Sequence, residues 1–402
     1  MATLNVLQTS DWHLGGSLDA SGRPEEFQSF LNWLLDLLHQ RPCDALLVCG
    51  NIFHTATPGP DDLRRLFGFL AAAARIVPRI VLLGGQRDPA SLLEAPGDLF
   101  EALGVRAIAD PGPQPGRSPR ALIPLCGADG QPRAVVAALP FVHALQLGVR
   151  PSGLDPAERR AQLADAFAEI WRQLADQASE THPDLPLIAC GHTLCQGLDE
   201  ASDAQDPLRL PLRIFDPRFV HVALGASASA ASLDGGRIHY SGSPLPMTVE
   251  AADAPRRVLR LSIDGHHVAV EPVEVPLWRQ VVTLSGTLPE LVGRLVSLTS
   301  ELPLSPLLCI DVVGEPAGTD IETPIQGALA RLPAARRPAL LRLSLSPTPR
   351  PNLDAPTGLM LDPEAVFCQL VRERTGQDPD DPLLDAFRLL VEADLPDQDL
   401  SS

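Results

Sequence analysis

The sequence predicts an α/β protein, a layered sandwich followed by a small α+β unit and a helical tail. Three observations carry that expectation. Short apolar strands alternate with amphipathic helices from residue 4 onward, polar clusters fall directly after the strands, and the pattern changes after Val275. Strands that read as near-continuous apolar runs belong in sheets covered on both faces. Polar residues just beyond such strands lie where open α/β sheets build their sites.

The first strand is Leu4–Thr9. A helix over about 25–39 follows, because Phe27, Phe30, Leu31, Leu34, Leu35 and Leu38 recur at helical spacing. The apolar runs Ala45–Cys49 and 80–83 are the next strands, leading into helices over about 61–74 and 92–103. Further strands are expected at 134–139, 187–190, 220–224 and 237–240, with a helix over about 157–178 among them. Beyond Val275 the order is strand, helix, strand, helix, strand over 277–284, 288–299, 307–313, 321–332 and 339–345. Pro347, Pro349, Pro351 and Pro356 mark a linker. Two amphipathic helices follow, over 363–374 and 383–393. The expected organisation is thus a first domain over 1–274, a second over 275–346, a linker over 347–360 and a helical tail over 361–394.

The bulk composition excludes several classes. The longest apolar runs are strand-length, too short to cross a bilayer, and no basic segment followed by an apolar one opens the chain. Seven cysteines without CxxC spacing, several inside strand patterns, read as reduced core thiols, which points to a cytoplasmic protein. The net charge is -18, and all the Lys+Arg count is arginine. Duplex binding rests on neutralising phosphates, so such a chain does not grip DNA alone; a local patch or a basic partner must supply that attraction.

The chemistry-bearing residues follow the strands. Asp11 and His13, two apart, can aim a carboxylate and an imidazole at one ion. After the second strand comes Gly50-Asn51-Ile52-Phe53-His54, after the third Gly84-Gly85-Gln86-Arg87-Asp88, and later Gly191-His192 and Gly225-Ala226-Ser227-Ala228. Taken in order these resemble the five-part signature of calcineurin-like metallophosphoesterases: Asp-x-His, Gly-Asp-x-x-Asp, Gly-Asn-His-Asp, Gly-His and Gly-His-x-His. The flanks narrow the resemblance to the SbcD family. They are Thr9–Gly15, Ala45–Pro58, Leu139-Pro140-Phe141, Tyr240–Leu245 and Leu361–Phe367, covering nearly the whole chain in order.

The resemblance implies a calcineurin-like sandwich, a capping domain beside the nuclease centre, and a tail that docks on an SbcC-like coiled-coil ATPase. Family members use two manganese ions to degrade DNA ends and open hairpins, one ion activating water while both clamp the phosphate. It also implies DNA as a partner through the complex, and a second copy of the chain as a further one. The cap's basic residues would be Arg279, Arg294, Arg331, Arg336, Arg337 and Arg342. The docking stripes would be Val366, Phe367, Leu370 and Val371, then Leu384, Phe387, Leu390 and Val391; closure of the two helices on each other or on the cap is the alternative.

Departures from the pattern fall on the ligands themselves. Asp11, His13 and His192 match. Asn51 stands where the family has its bridging Asp, Gln86 replaces a liganding Asn, and Arg87 replaces the His that assists at the scissile phosphate, ahead of a matching Asp88. Ala226 and Ala228 replace both histidines of the last motif. Two divalent ions about 4 Å apart repel by roughly 15–20 kcal/mol at an effective dielectric near 20. A neutral asparagine does not offset this as a carboxylate does. The reading is therefore a subunit with an impaired centre, against two rivals: a manganese-dependent nuclease with a reorganised site, and another kind of phosphoesterase. Three ligands could still hold one weak ion, and His54 could swing in as a substitute. Arg87 either pairs with Asp11 or Asp88 as a fixed cation or points into solvent.

Overall fold

The protein is described from a computed structural model covering residues 3–19, 21–149, 155–198, 209–296, 302–316, 318–333 and 337–346, with three helical pairs at 367–368, 371–372 and 383–384. The chain opens with β1 (Leu4–Thr9) and a short hairpin, β2 (Ser17–Leu18) and β3 (Ser21–Gly22). Then come α1 (Pro24–Gln40), β4 (Ala45–Cys49), α2 (Pro60–Ala73), β5 (Arg79–Leu83), α3 (Ala90–Glu94), α4 (Gly97–Ala102) and β6 (Val105–Ile108). The second half holds β7 (Leu122–Cys126), β8 (Pro132–Leu139), α5 (Pro156–Thr181), β9 (Leu187–His192), β10 (Phe219–Gly225), β11 (Ala231–Leu233) and β12 (Ile238–Tyr240). A hairpin of β13 (Arg257–Asp264) and β14 (His267–Glu274) follows.

Two six-stranded sheets result, ordered β14-β13-β1-β4-β5-β6 and β11-β12-β10-β9-β8-β7. Strand side chains alternate between faces. In β4, Leu46 and Val48 join the core under α1 and α2, whereas Ala45, Leu47 and Cys49 face the other sheet. In β8, Val135, Ala137 and Leu139 pack with Phe167, Trp171 and Leu174 of α5, whereas Ala134, Val136 and Ala138 face inward. Helices therefore cover both outer faces, giving the layered α/β sandwich that the sequence predicts. Small inward residues let the sheets approach closely, so that the free thiols of Cys49 and Cys190 lie 3.6 Å apart.

Helix α1 starts where Pro24 presets φ and where Glu25 and Glu26 complement the positive end of the helix dipole. Its apolar face buries Phe27, Phe30, Leu31, Leu34 and Leu38. The single helix expected over 92–103 is instead α3 and α4, because Pro96 lacks the N–H that would continue the ladder. The β13–β14 hairpin, with β6 and β7, lies in stretches where the sequence reading placed no strand.

A third sheet, β15 (Val281–Gly286), β16 (Leu307–Val313) and β17 (Ala339–Ser346), is parallel throughout and carries α6 (Leu288–Val296) and α7 (Glu322–Ala330). It has its own core around Leu291, Leu308, Ile310, Ile325 and Leu329. Salt bridges tie this unit to the sandwich: Arg279 to Glu25 and Glu26, and Arg342 to Asp19 and Glu250. The Arg337 guanidinium donates to the carbonyls of Ala330 and Leu332, and that of Arg294 to Ser285 O. Four of the arginines expected to face DNA are therefore engaged within the chain, and Arg336 lies outside the described residues. In the tail, Phe367, Val371 and Leu384 are helical; Val366, Leu370, Phe387, Leu390, Val391 and the linker lie outside the described residues. No helix among the described residues is long and apolar enough to cross a membrane.

Candidate active site

The C-terminal ends of β1, β4, β5, β9 and β10 converge, so five sequence-distant motifs meet at one edge of the sandwich. The loops after β1 and β4 are laced together: Asp11 N–H donates to Gly50 O, His13 N–H to Asn51 O and Leu14 N–H to Ile52 O, all at 2.8–3.0 Å. Trp12, between the two predicted ligands, is fully buried against Phe30 and Phe69 and donates its indole N–H to Thr9 Oγ1 at 3.0 Å. That anchor turns Asp11 and His13 the other way, toward the site. Ser10 and Ser241 hydroxyls, 2.9 Å apart, join the ends of the two sheets behind it.

Four non-glycine residues here have left-handed backbone: Asp11 (φ 53°), His13 (φ 51°), Asn51 (φ 52°) and Ala226 (φ 86°). For Ala226, with no polar side chain to compensate, this is strain of the kind concentrated at sites. Glycines clear room for the His192 ring. A Cβ on Gly50 would stand 2.3 Å from its Nδ1, and one on Gly225 would stand 1.8 Å from Cys49 O.

Asp11 is buried and both its oxygens are occupied. Oδ1 accepts from Asn51 Nδ2 at 3.0 Å, and Oδ2 from the Ala226 N–H at 3.1 Å. Burial pushes its pKa up to about 7, against the lowering effect of hydrogen bonds from Ser10, Asn51 and Ala226. His13 lies 3.8 Å from Asp11, beyond hydrogen-bond reach. Burial, then His54, Arg87 and His192, lower its pKa to about 3, so at neutral pH this contact is no ion pair. His192 directs Nδ1 at Cys49 O, 2.8 Å away, and burial lowers its pKa to about 4. Neutral His192 thus keeps its hydrogen on Nδ1 and presents a lone pair at Nε2. Both Nε2 of His192 and Nδ1 of His13 are buried without a partner.

Asp88 sits differently. Its carboxylate accepts backbone N–H groups of Ile52, Phe53 and Gly85 at 2.8–3.1 Å, pinning the β5 loop to the β4 loop; burial raises its pKa against those bonds. Arg87 points elsewhere than the fixed-cation idea requires. Its guanidinium donates to His54 O at 3.3 Å, and among the described residues it forms no ion pair with Asp11 or Asp88. Its backbone N–H reaches Asn51 Oδ1 at 3.3 Å. Gln86 is exposed at the rim. His54 stands edge-on to His13, with ring centroids 5.6 Å apart. Ala228 is exposed and lines a separate groove with Ser241 and Arg256.

These residues do not fit a two-ion centre. Among the described residues no three His, Cys, Asp or Glu groups converge as a metal cluster, Asn51 turns an N–H rather than an oxygen toward Asp11, and two positions are alanine. What adjoins them is a cavity of about 540 Å³ that reaches from His192, Ala226, Gln86 and Arg87 to Phe141 and α5. Leu163 and Phe167 of α5 and Leu210 wall it. The sequence reading missed them because nothing local distinguishes them from ordinary core positions.

No protein-family model matches the chain. A Rhodobacter capsulatus protein described as the SbcD subunit of the SbcCD nuclease is 34% identical over 382 residues, covering 90% of this chain and 93% of its own. Its namesake from Escherichia coli K12 is 28% identical over 342 residues, 82% of this chain and 83% of its own. The Bacillus subtilis protein of the same description is 24% identical over 298 residues, 70% of each. Among solved structures, TT1561 of Thermus thermophilus aligns with 67% of this chain and 99% of its own at 12% identity, with a TM-score of 0.34.

Proposed function

The chain belongs to the SbcD family, and from that premise we propose that it is an SbcD-type subunit which holds an SbcC-like coiled-coil ATPase and DNA ends while its own metal-dependent cutting is impaired. One observation carries the impairment: Asp11 has both carboxylate oxygens hydrogen-bonded by internal donors, Asn51 Nδ2 and the Ala226 N–H. A centre that cuts phosphodiesters with two cations needs that carboxylate free for an ion and an anionic bridge beside it. The chain supplies an amide and a methyl group. In this reading the sandwich keeps the architecture, residues 275–346 form the cap, and the tail over 361–394 docks on the ATPase.

A rebuilt single-ion nuclease is the second reading. It is favoured by the unpartnered nitrogens of His13 and His192, which suit a metal as well as a hydrogen bond.

Manganese binding and cleavage of hairpin and blunt-ended DNA, measured together with the co-expressed ATPase partner present, separate the two. Asp11→Ala is the control. The expected result is an intact complex with no manganese-dependent cutting. Cutting that disappears in Asp11→Ala overturns the reading.

A further inference from the structure

The thiols of Cys49 and Cys190 take no part in the site or in the function proposed for it. They stand on β4 and β9, strands of opposite sheets, and their sulfurs meet at 3.6 Å. Both cysteines are free and 0% exposed, set among Leu47, Leu83, Ile188 and Ala223 between the sheets. Facing sheets normally stand about 10 Å apart. Here the backbones crowd together: a Cβ on Gly225 would stand 1.8 Å from Cys49 O, and the His192 ring reaches the same carbonyl at 2.8 Å.

Two thiols in contact can share a soft metal ion or join as a disulfide. An ion between two thiolates leaves a net negative charge among these apolar side chains and close to the buried Asp11, at a steep desolvation cost. A disulfide is neutral and needs the sulfurs to close by about 1.5 Å, to the usual bond length near 2.05 Å. We propose that Cys49 and Cys190 form a reversible disulfide under hydrogen peroxide, stapling the two sheets beneath Asp11, Asn51 and His192. One sulfur takes an oxygen as the O–O bond breaks, giving a sulfenic acid and one water. The second thiol displaces that hydroxyl: the S–S bond forms, the S–O bond breaks, and its proton leaves with the oxygen as a second water. Two electrons pass from the sulfurs to the peroxide. The neighbouring Cys190 and burial hold the Cys49 thiol well above its ordinary value, so thiolate is scarce and the step is slow. The pair therefore answers sustained oxidant, after the half-buried Cys126 and Cys368 have reacted. Cys49 O holds His192, and Asn51, two residues further on, holds Asp11, so the staple removes the freedom of these strand ends to separate. It needs neither metal nor DNA, and it stands whether or not the centre cuts.

The test treats the full, reduced chain with hydrogen peroxide, then alkylates and digests it for mass spectrometry. A peptide pair joining 49 to 190 is expected, lighter by two hydrogen atoms than the reduced peptides and reversed by dithiothreitol. Because the bond spans 141 residues, the oxidised chain should melt about 5 °C higher, and dithiothreitol should cancel that rise. Cys49→Ala and Cys190→Ala should each abolish the rise, whereas Cys126→Ser should keep it. The peptide pair is read on the unsubstituted chain, so a variant that folds poorly does not decide the outcome. Free thiols at 49 and 190 once Cys126 is fully oxidised, sulfinic acid at either position without a link, or a link formed only in urea would overturn the proposal.

Discussion

At Asn51 one amide does two jobs: Nδ2 donates to Asp11 Oδ1, and Oδ1 accepts from the Arg87 N–H. Asn51→Asp would remove the donor and set a second carboxylate against a buried one. In EDTA a loss of about 1–3 kcal/mol is expected by urea unfolding; an unchanged stability would show that the Asn51–Asp11 bond contributes nothing. Asp11, His13, Asn51 and His192 are legible in the sequence because each stands at a strand end inside a short motif, and strand ends are where side chains converge. The direction of Arg87 is not legible. It is fixed by the carbonyl of His54, which arrives from another loop, and no local pattern in 84–88 encodes that carbonyl. The role of Asp88 is hidden for the same reason, since its partners are backbone N–H groups, which look alike in any sequence.

At the scale of elements, β10 and β12 bring His221 and His239 face to face, with centroids 5.2 Å apart and planes 18° from parallel. Gln8 of β1 meets His221 Nε2 at 3.1 Å, and Ser232 of β11 meets His239 Nε2 at 3.2 Å. Burial, then His239, lowers the His221 pKa from 6.5 to about 3. Between those values the unfolded chain binds a proton that the folded one refuses. The folded state therefore loses stability as pH falls through that window, by about 1.4 kcal/mol per pH unit. His221→Gln should flatten the acid limb of a stability–pH curve by that slope; superimposable slopes would contradict it. At the start of α1, Arg23 and Glu26 are both 3% exposed and paired at 2.6 Å, with Arg279 on the same carboxylate. Glu26→Ala strands a buried guanidinium and should cost about 3–5 kcal/mol. Arg342→Ala, which breaks exposed pairs only, should leave the unfolding midpoint unchanged. The central strands are legible as unbroken apolar runs. The β13–β14 hairpin is not: its alternation is half polar, and its pairing with β1 is a long-range choice.

For the whole molecule, the net charge of -18 sets the division of labour. If the chain acts in the complex proposed above, attraction to DNA has to come from the partner or from a few exposed arginines such as Arg87, and association of that complex with DNA should weaken steeply with salt. Removal of residues 347–402 should abolish co-purification with the ATPase and leave the melting of the sandwich unchanged. A shortened chain that still co-purifies would move the docking surface into the first 346 residues. The layered class of the fold follows from alternation of strands and helices along the chain. How the third sheet sits on the sandwich does not, because it is set by single pairs such as Trp33 against Trp278 that no periodicity announces.

The register of β1 has a consequence for how this protein is made. Leu4 pairs with Ile263, so a strand at the very start of the chain waits for one synthesised some 259 residues later. On a ribosome the first sheet cannot close until residue 264 has emerged, and until then β1 offers an open edge to any neighbouring chain. Vectorial synthesis thus leaves β1 as an open edge of two otherwise complete sheets until the β13–β14 hairpin arrives, and fragments ending before β13 should aggregate through that edge.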